Sequence, residues 1–337
     1  MVSYLSVVLS LCIVGVSATT VWDQFESFRE RYAKVYHCVE QIEERYGIFR
    51  DNMEKISQHN SRGLNFTMSM NQFGDMTEEE FSNYYRINNF QLPSVGSSLL
   101  GGYGCKVYSA DIDKSLSESL SWVEKGMVTS VKDQGQCGSC WSFSATGAIE
   151  SVVAIAGDEL TDLSEQQMVD CAVGLQYGSH GCNGGQMDGG FKYVIENGQC
   201  SLGDYPYTSG TTKSSGTCRV CDTVATISGC YDVPSGNQLL LKQAVAMNPV
   251  SVAIEADTKY FQFYSGGILD SSSCGTSLDH GVLVVGYGED DGVMYWLVKN
   301  SWSSSWGDKG YVKILRSESE KDAGICGIGM QPSFPEA

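Results

Sequence analysis

Cys137 and Cys140 stand three residues apart in the stretch KDQGQCGSCWSFSATGAIES, Lys132 to Ser151. A pair at this spacing has three chemistries open to it. It can be a redox dithiol, half of a zinc site, or one bonded cysteine beside one reactive cysteine. A thioredoxin-type dithiol needs a βαβ setting, and the segments that follow do not alternate strand and helix. Zinc needs a second pair, and Cys218 and Cys221 in CRVC have the spacing. In an exported, cysteine-rich chain, however, disulfides are favoured over thiolate–metal sites. In the third reading Cys140 opens a helix. A helix N-terminus carries free N–H groups and partial positive charge, and both lower a thiol's pKa. Such a nucleophile also needs an imidazole to favour the ion pair and later supply a proton. The chain has four histidines. His37 and His59 fall in an N-terminal helical leader, and His180 in the loop GSHGCNGG. His280, in SLDHGVLVVGYG, stands where an apolar strand begins in the later half of the chain.

Periodicity shows the elements that must position these groups. Trp141, Ala145, Ala148, Ile149, Val152 and Ile155 fall at helical spacing in Cys140–Ala156. LSEQQMVDC opens on Ser164 with Gln167 three residues later, a capping-box pattern. GGQMDGGFKYVIENG predicts another helix, ended by Gly198, and GNQLLLKQAVAMNP a further one, stopped before Pro249. Beyond Pro249 the runs VSVAIEA, HGVLVVGYG, MYWLVKNSW and GYVKILR are strand-like, with a hairpin turn at GEDDG. Helices first and strands later predict an α+β fold of two lobes, the second barrel- or sandwich-like, with a cleft where they meet.

The first residues, MVSYLSVVLSLCIVGVSATT, read as a secretory signal with cleavage after Ala18. The run is too short to span a bilayer comfortably, and no other stretch approaches the roughly 20 apolar residues a span needs. An export-pathway protein without a membrane anchor is expected. Of the 13 cysteines, Cys12 leaves with the signal and Cys38 lies in the leader. An odd number remains, so pairing in an oxidising compartment leaves one thiol over. The net charge of −18 argues against nucleic acid and anionic membranes as partners. Thr19 to about Asn89 reads as mostly helical, and in QIEERYGIFRDNMEKISQHN the residues Ile42, Tyr46, Phe49, Met53 and Ile56 form one apolar stripe that needs a partner surface. QLPSVGSSLLGGYG follows as a flexible link that a protease could cut.

QGQCGSCWSFSATGAIE, GCNGG, LDHGVLVVGYG and KNSWSSSWGDKGY, in that order, resemble the papain/cathepsin L family of cysteine proteases across nearly the whole chain. The resemblance implies a papain-like two-lobed fold: a helical left lobe, a β-barrel-like right lobe, the active-site cleft between them, and a helical propeptide in front. It implies a signal peptide at 1–18, an inhibitory propeptide at 19–110 and a peptidase domain at 111–337. The activity implied is hydrolysis of peptide bonds through a Cys-His thiolate–imidazolium pair and an acyl-thioester, by an enzyme made as a zymogen. No cofactor or metal is implied. The family's carboxydipeptidase kind has a histidine-rich insertion that this chain lacks, so an endopeptidase is expected.

By the same resemblance Cys140 is the nucleophile, His280 its imidazole partner and Asn300 the residue that orients the ring. Gln134 is the oxyanion donor, together with the backbone N–H of Cys140, and Trp302 shields the His–Asn bond. Gly184 and Gly185 let a substrate strand approach the backbone. Met187, Ala253, Leu278, Gly281 and Gln331 line the main specificity pocket, for Leu, Val or Phe. The implied bridges are Cys137–Cys182, Cys171–Cys218 and Cys274–Cys326. Cys105, Cys200, Cys221 and Cys230 allow three pairings, of which Cys200–Cys221 with Cys105–Cys230 is preferred. Gln134, Cys140, His280 and Asn300 together argue against the rival reading, a non-catalytic binding or storage protein on this scaffold.

The leader carries Arg45, Phe49, Asn52, Ile56 and Asn60 at the spacing of the family's propeptide, with Gln41 where Glu is usual. SMNQFGDMTEEEF resembles its second motif, with Ser69 where Gly is usual. Ser303 likewise stands for Gly after Trp302. Such a propeptide lies backwards through the cleft, and acid is expected to weaken it by protonating its carboxylates. Asn65-Phe66-Thr67 is the only N-glycosylation acceptor pattern. The expected partners are protein and peptide substrates, the chain's own propeptide and cystatin-like inhibitors. A monomer of the secretory pathway is expected, in a lysosome or vacuole or outside the cell.

Overall fold

The leader folds around its longest helix. The computed structural model describes residues 20–85, 103–113, 115–272 and 274–337. The expected signal segment and most of the link at 91–104 lie outside the described residues. The leader forms α1 (Val21–Arg31), α2 (Val39–Asn60), β1 (Phe66–Met68) and α3 (Glu78–Tyr85). Thr20 caps α1 through a full capping box with Asp23. The apolar stripe of α2 finds two partners. Ile42, Tyr46, Phe49 and Met53 pack on Phe25 and Phe28 of α1. Ile56, nearer the end, joins the core of the strand-rich lobe.

The polar face of α2 clasps the chain that follows it. Arg45 makes two parallel bonds to Glu80, both 2.8 Å, and a third to the Asp75 carbonyl. Asn52 Nδ2 donates to the carbonyls of Gly74 and Met76, at 3.0 and 2.8 Å. The Asn60 side chain donates to Met68 O and accepts from Met68 N, pairing with that backbone on both sides. Gly74 itself is closely packed, since a Cβ there would meet Met70 Sδ and Phe28 at 3.0 Å. The Arg45 guanidinium holds the Glu80 carboxyl below its ordinary range.

The remaining helices are α4 (Cys140–Ala156), α5 (Glu165–Cys171), α6 (Met187–Asn197), α7 (Ser209–Thr212), α8 (Gln238–Met247) and α9 (Lys259–Gln262). The remaining strands are β2 (Lys106–Val107), β3 (Leu120–Ser121), β4 (Gln199–Cys200), β5 (Thr223–Ala225), β6 (Gly229–Asp232), β7 (Val250–Ile254), β8 (Tyr264–Leu269), β9 (His280–Asp290), β10 (Val293–Lys299), β11 (Tyr311–Leu315) and β12 (Ser333–Glu336). α4 is buried almost all round, with α5 and α6 on one side and β9 on the other. Of the capping box read at α5, only half forms. Ser164 accepts from the Gln167 N–H, but Gln167 Oε1 turns away to accept from Cys200 N.

The two lobes have separate cores. One gathers α4, α5 and α6, and the other the strands with α8 and α9. The strand-rich lobe is an open sheet and not a closed barrel. Its strands run β1-β8-β11-β10-β9-β7-β12-β6-β2, with β3 also against β9. At one edge of this sheet β8 pairs on its outer side with β1 of the leader. Phe66, Met68, Phe73 and Phe81 of the leader then continue the core of this lobe. Asn65, in the acceptor pattern, precedes β1 and donates from Nδ2 to Asp270 at 2.6 Å. Disulfides join Cys105–Cys230, Cys137–Cys182, Cys171–Cys218, Cys200–Cys221 and Cys274–Cys326. Among the described residues Cys38 and Cys140 are unbonded.

Candidate active site

Cys140 is the first residue of α4, and Cys137 lies in the loop that Cys182 fastens. The two cysteines of the C-x-x-C pair thus have different fates. Cys218 and Cys221 are each bonded to other cysteines, so they form no second metal pair. The Cys140 sulfur is wholly buried and accepts from the Gly281 N–H at 3.3 Å. That bond sets the thiol against the residue that follows His280 on β9. Two further cross-lobe bonds fix α4 to the strands. Ser144 Oγ donates to Val282 O at 2.7 Å, and Ser251 Oγ donates to Ser144 O at 3.0 Å.

His280 Nε2 donates to Asn300 Oδ1 at 2.8 Å. The same oxygen accepts from Ser301 N, which fixes the amide's orientation. The Trp302 ring stacks on the imidazole with centroids 4.6 Å apart, and both are buried. The indole is covered in turn by Phe73 and Phe81 of the leader, both edge-on. Gln72 Nε2 adds a bond to the Trp302 carbonyl at 2.8 Å. Ser303, which follows, holds a left-handed backbone at φ 67, so the turn survives without glycine.

Burial dominates the protonation of this site in the precursor. It pushes the Cys140 thiol up to about 12, against the pull of the N–H groups of Gly281, Trp141 and Cys140 itself. It pushes the His280 ring down to about 4, while the bond to Asn300 works the other way. Burial thus disfavours the charged form of both groups in the precursor.

Gln134 is buried beside them. Its Nε2 donates to Cys137 O at 3.0 Å, its Oε1 accepts from Ser301 Oγ at 2.7 Å, and Tyr207 OH braces its carbonyl. Replacing Gln134 by alanine is expected to lower kcat about 10²–10³-fold with little change in KM, as steady-state kinetics on the mature enzyme will show. Gly184 has φ +101, a conformation that favours glycine. Gly185 has a packing reason, since a Cβ there would meet the Trp141 ring at 2.7 Å. Met187, Ala253 and Leu278 share one buried cluster with Cys140. Ala253 pairs with Gly281 across β7 and β9, and a Cβ on Gly281 would meet Met187 Sδ at 3.3 Å. Gln331 is tied to Gln186 by a 2.7 Å bond from its Nε2.

A charged network behind Asn300 escaped the sequence reading. Lys132 Nζ bonds Glu150 and Glu165 at 2.8 and 2.7 Å, and Lys299 Nζ reaches Thr129, which donates to Glu150. The two glutamates hold Lys132 charged and well above its usual range. Lys132, Glu150, Glu165 and Lys299 line a cavity of about 20 Å³ that reaches Gly281 and Asn300, room for about one water. The sequence signal was Glu150 itself, one carboxylate inside the apolar run of α4.

A single thiol at the head of a buried helix, held to a histidine strand under a separate helical domain, defines the precursor of a cysteine protease. The chain belongs to the papain family of cysteine proteases, whose profile matches residues 116–336, and residues 25–81 match the cathepsin propeptide inhibitor domain. Senescence-specific cysteine protease SAG39 of Oryza sativa subsp. japonica is 39% identical over 338 residues, covering 98% of this chain and 96% of that protein. Among solved structures, the digestive procathepsin L2 proteinase of Tenebrio molitor larval midgut has a TM-score of 0.83 at 36% identity, covering 94% of this chain and 100% of that one. A recombinant stem bromelain precursor gives 0.82 at 36% identity, covering 94% of this chain and 98% of that one. The chain is a cysteine endopeptidase made as a zymogen.

Proposed function

We propose that Cys140, His280, Asn300 and Gln134 carry the hydrolysis. The observation that carries this reading is the His280–Asn300 bond of 2.8 Å beside a thiol held to Gly281. A ring that donates from Nε2 is the tautomer whose Nδ1 lone pair takes the thiol proton. The thiolate then attacks the scissile carbonyl carbon, and the oxyanion is met by Gln134 Nε2–H and the Cys140 N–H. The imidazolium returns its proton to the leaving amine, and an acyl-thioester remains on Cys140. His280 next draws a proton from water, the hydroxide adds to the thioester, and the proton goes back to sulfur as the acid leaves. Trp302 keeps water from the His–Asn bond, which strengthens it. The ion pair belongs to the mature enzyme, from which the leader that covers Trp302 has departed.

Met187, Ala253, Leu278, Gly281 and Gln331 form the pocket for the residue before the scissile one, the P2 residue, and favour Leu, Val or Phe there. Gly184 and Gly185 present backbone to an extended substrate. The mature part begins near residue 111, after removal of a signal at 1–18 and the leader. Five disulfides support passage through the secretory pathway to a lysosome or vacuole, or to the outside. Among the described residues no helix is long and apolar enough to cross a membrane. The mature enzyme acts as a monomer open to cystatin-like inhibitors. An epoxide-type thiol inhibitor tests the reading. It should label the mature enzyme once, on Cys140, and block cleavage of a leucine-containing peptide. Cys140→Ala should take no label. An unlabelled parent that binds peptides without cutting them makes the scaffold a binding protein instead.

A further inference from the structure

One hydroxyl group touches both ends of the segment that separates the two oxyanion donors. These donors are the Gln134 side-chain amide and the Cys140 N–H. Between them runs GQCGS, Gly135 to Ser139, with two glycines and no helix or strand. Gly135 has φ +55, a conformation open to glycine. Such a stretch has no hydrogen-bonded ladder of its own to set the distance between its ends. Its middle is held from outside, by the Cys137–Cys182 bridge and by the bond from Gly138 N to Cys182 O at 2.8 Å. Its ends are held by Tyr207.

The Tyr207 OH donates to Gln134 O at 2.8 Å and lies 2.7 Å from Ser139 Oγ. A carbonyl can only accept, so the one phenolic hydrogen goes to Gln134 and Ser139 Oγ donates to the phenol oxygen. The other acceptor open to Ser139, Cys137 O, is 3.4 Å away. Ser139 is the N-cap of α4 and directly precedes Cys140. The chain of bonds therefore runs from the start of α4, through the phenol, to the backbone of Gln134. One hydrogen of Gln134 Nε2 is already given to Cys137 O, which leaves the second for an oxyanion.

Other elements fix Tyr207 itself. Gln166 Oε1, on α5, accepts from the N–H groups of Thr208 and Ser209 at 2.8 and 2.9 Å. Phe143, in the first turn of α4, meets the Tyr207 ring edge-on with centroids 4.9 Å apart. Gln136 N donates to Gly210 O at 3.0 Å, and a Cβ on Gly135 would lie 2.7 Å from that carbonyl. The 207–210 segment thus lies directly against 134–136. All of these residues fall within 116–336, so the arrangement belongs to the enzyme and not to its leader.

We propose that Tyr207 is a positioning residue for the oxyanion hole: its hydroxyl straps Gln134 to the start of α4 and so fixes the distance between the Gln134 amide and the Cys140 N–H. This rests on the assignment of those two groups as the oxyanion donors. Charge develops on the oxyanion only as the carbonyl is attacked, so a misplaced donor slows the chemical step and leaves substrate binding nearly untouched.

Tyr207→Phe removes one oxygen and keeps the ring on Phe143. In the mature enzyme it should lower kcat about tenfold with KM nearly unchanged, a smaller loss than that expected for Gln134→Ala. Alkylation of Cys140 builds no oxyanion, so its rate and pH profile should match the parent's. The decisive arm adds Tyr207→Phe to Gln134→Ala. Once the amide donor is gone its position no longer matters, and the second change should cost less than about twofold. Ser139→Ala cuts the strap at its other end and should show the same split between kcat and KM. A parent-like kcat in Tyr207→Phe or in Ser139→Ala overturns the proposal. So does alkylation slowed as much as kcat, or a tenfold loss that persists in the absence of the Gln134 amide. If Gln134→Ala alone keeps the parent's kcat, the donor assignment fails and the strap with it. If Gln134→Ala is slow while Tyr207→Phe is not, the assignment stands and the strap is wrong.

Discussion

A His280→Ala enzyme is expected to cleave peptides about 10⁴–10⁶-fold more slowly than its parent, the scale seen when one member of a catalytic unit is removed. The ring has two roles that no neighbour can take over. It accepts the thiol proton and so makes the nucleophile, and it gives that proton to the leaving amine. Among the described residues, the titratable group nearest in sequence is Asp279, whose carboxyl burial pushes up to about 8. Its Oδ1 already accepts from Ala256 N at 2.8 Å. Alkylation of the mature thiol against pH separates a chemical role from a structural one. The parent should react well below pH 7, and the variant should need a pH near 8.5, like free cysteine. His280→Asn keeps a polar side chain beside Asn300 and should be just as slow. A parent thiol that itself titrates near 8.5 would remove the ion pair from the mechanism.

Truncating Phe73 or Phe81 to alanine is expected to free the enzyme from its leader. Both rings meet Trp302 edge-on, with centroids 5.8 and 5.6 Å away, and both are buried in the precursor. A buried Phe→Ala change costs about 3–5 kcal/mol. These rings bridge leader and enzyme, so much of that cost falls on docking. The leader's affinity should drop about 10²–10³-fold. The precursor should then mature at neutral pH, where the parent stays intact, as a time course on denaturing gels will show. Equal rates for parent and variants would place the grip of the leader elsewhere. The same gels test the acid trigger, which fails if the parent matures equally fast at neutral and mildly acidic pH. The Arg45–Glu80 pair is not the first contact to yield. Its contribution is present above the ordinary glutamate range and lost only as pH falls through the depressed pKa of Glu80.

Local pattern revealed much of this molecule. The helix that starts at Cys140, the turn at Gly198 and the hairpin at Asp291–Gly292 all follow from spacing that one stretch of chain contains. The stripe on α2 was visible, but its division between α1 and the enzyme core was not, because periodicity identifies a face and not its partners. The β1–β8 pairing was hidden for a similar reason, since it joins distant segments of the chain. Tyr207 looks like an ordinary loop aromatic in sequence, and only the fold sets its hydroxyl between Gln134 and Ser139. Gly185 was read as room for substrate, and the Trp141 ring behind it is a second reason for glycine there that the sequence did not reveal.

The antiparallel pairing of β1 with β8 also bears on the enzyme after the leader is gone. Phe66 to Met68 occupy the outer edge of β8 from Tyr264 to Gly267, and Ser69 N bonds Phe263 O just beyond. At Gly267 the fit is close enough that a Cβ would lie 2.3 Å from the Asn65 carbonyl. Cutting away the leader leaves those donors and acceptors facing water, a raw border to which any extended chain can add itself. Maturation thus opens two surfaces at once: the cleft that cuts, and a strand margin that the precursor had kept closed.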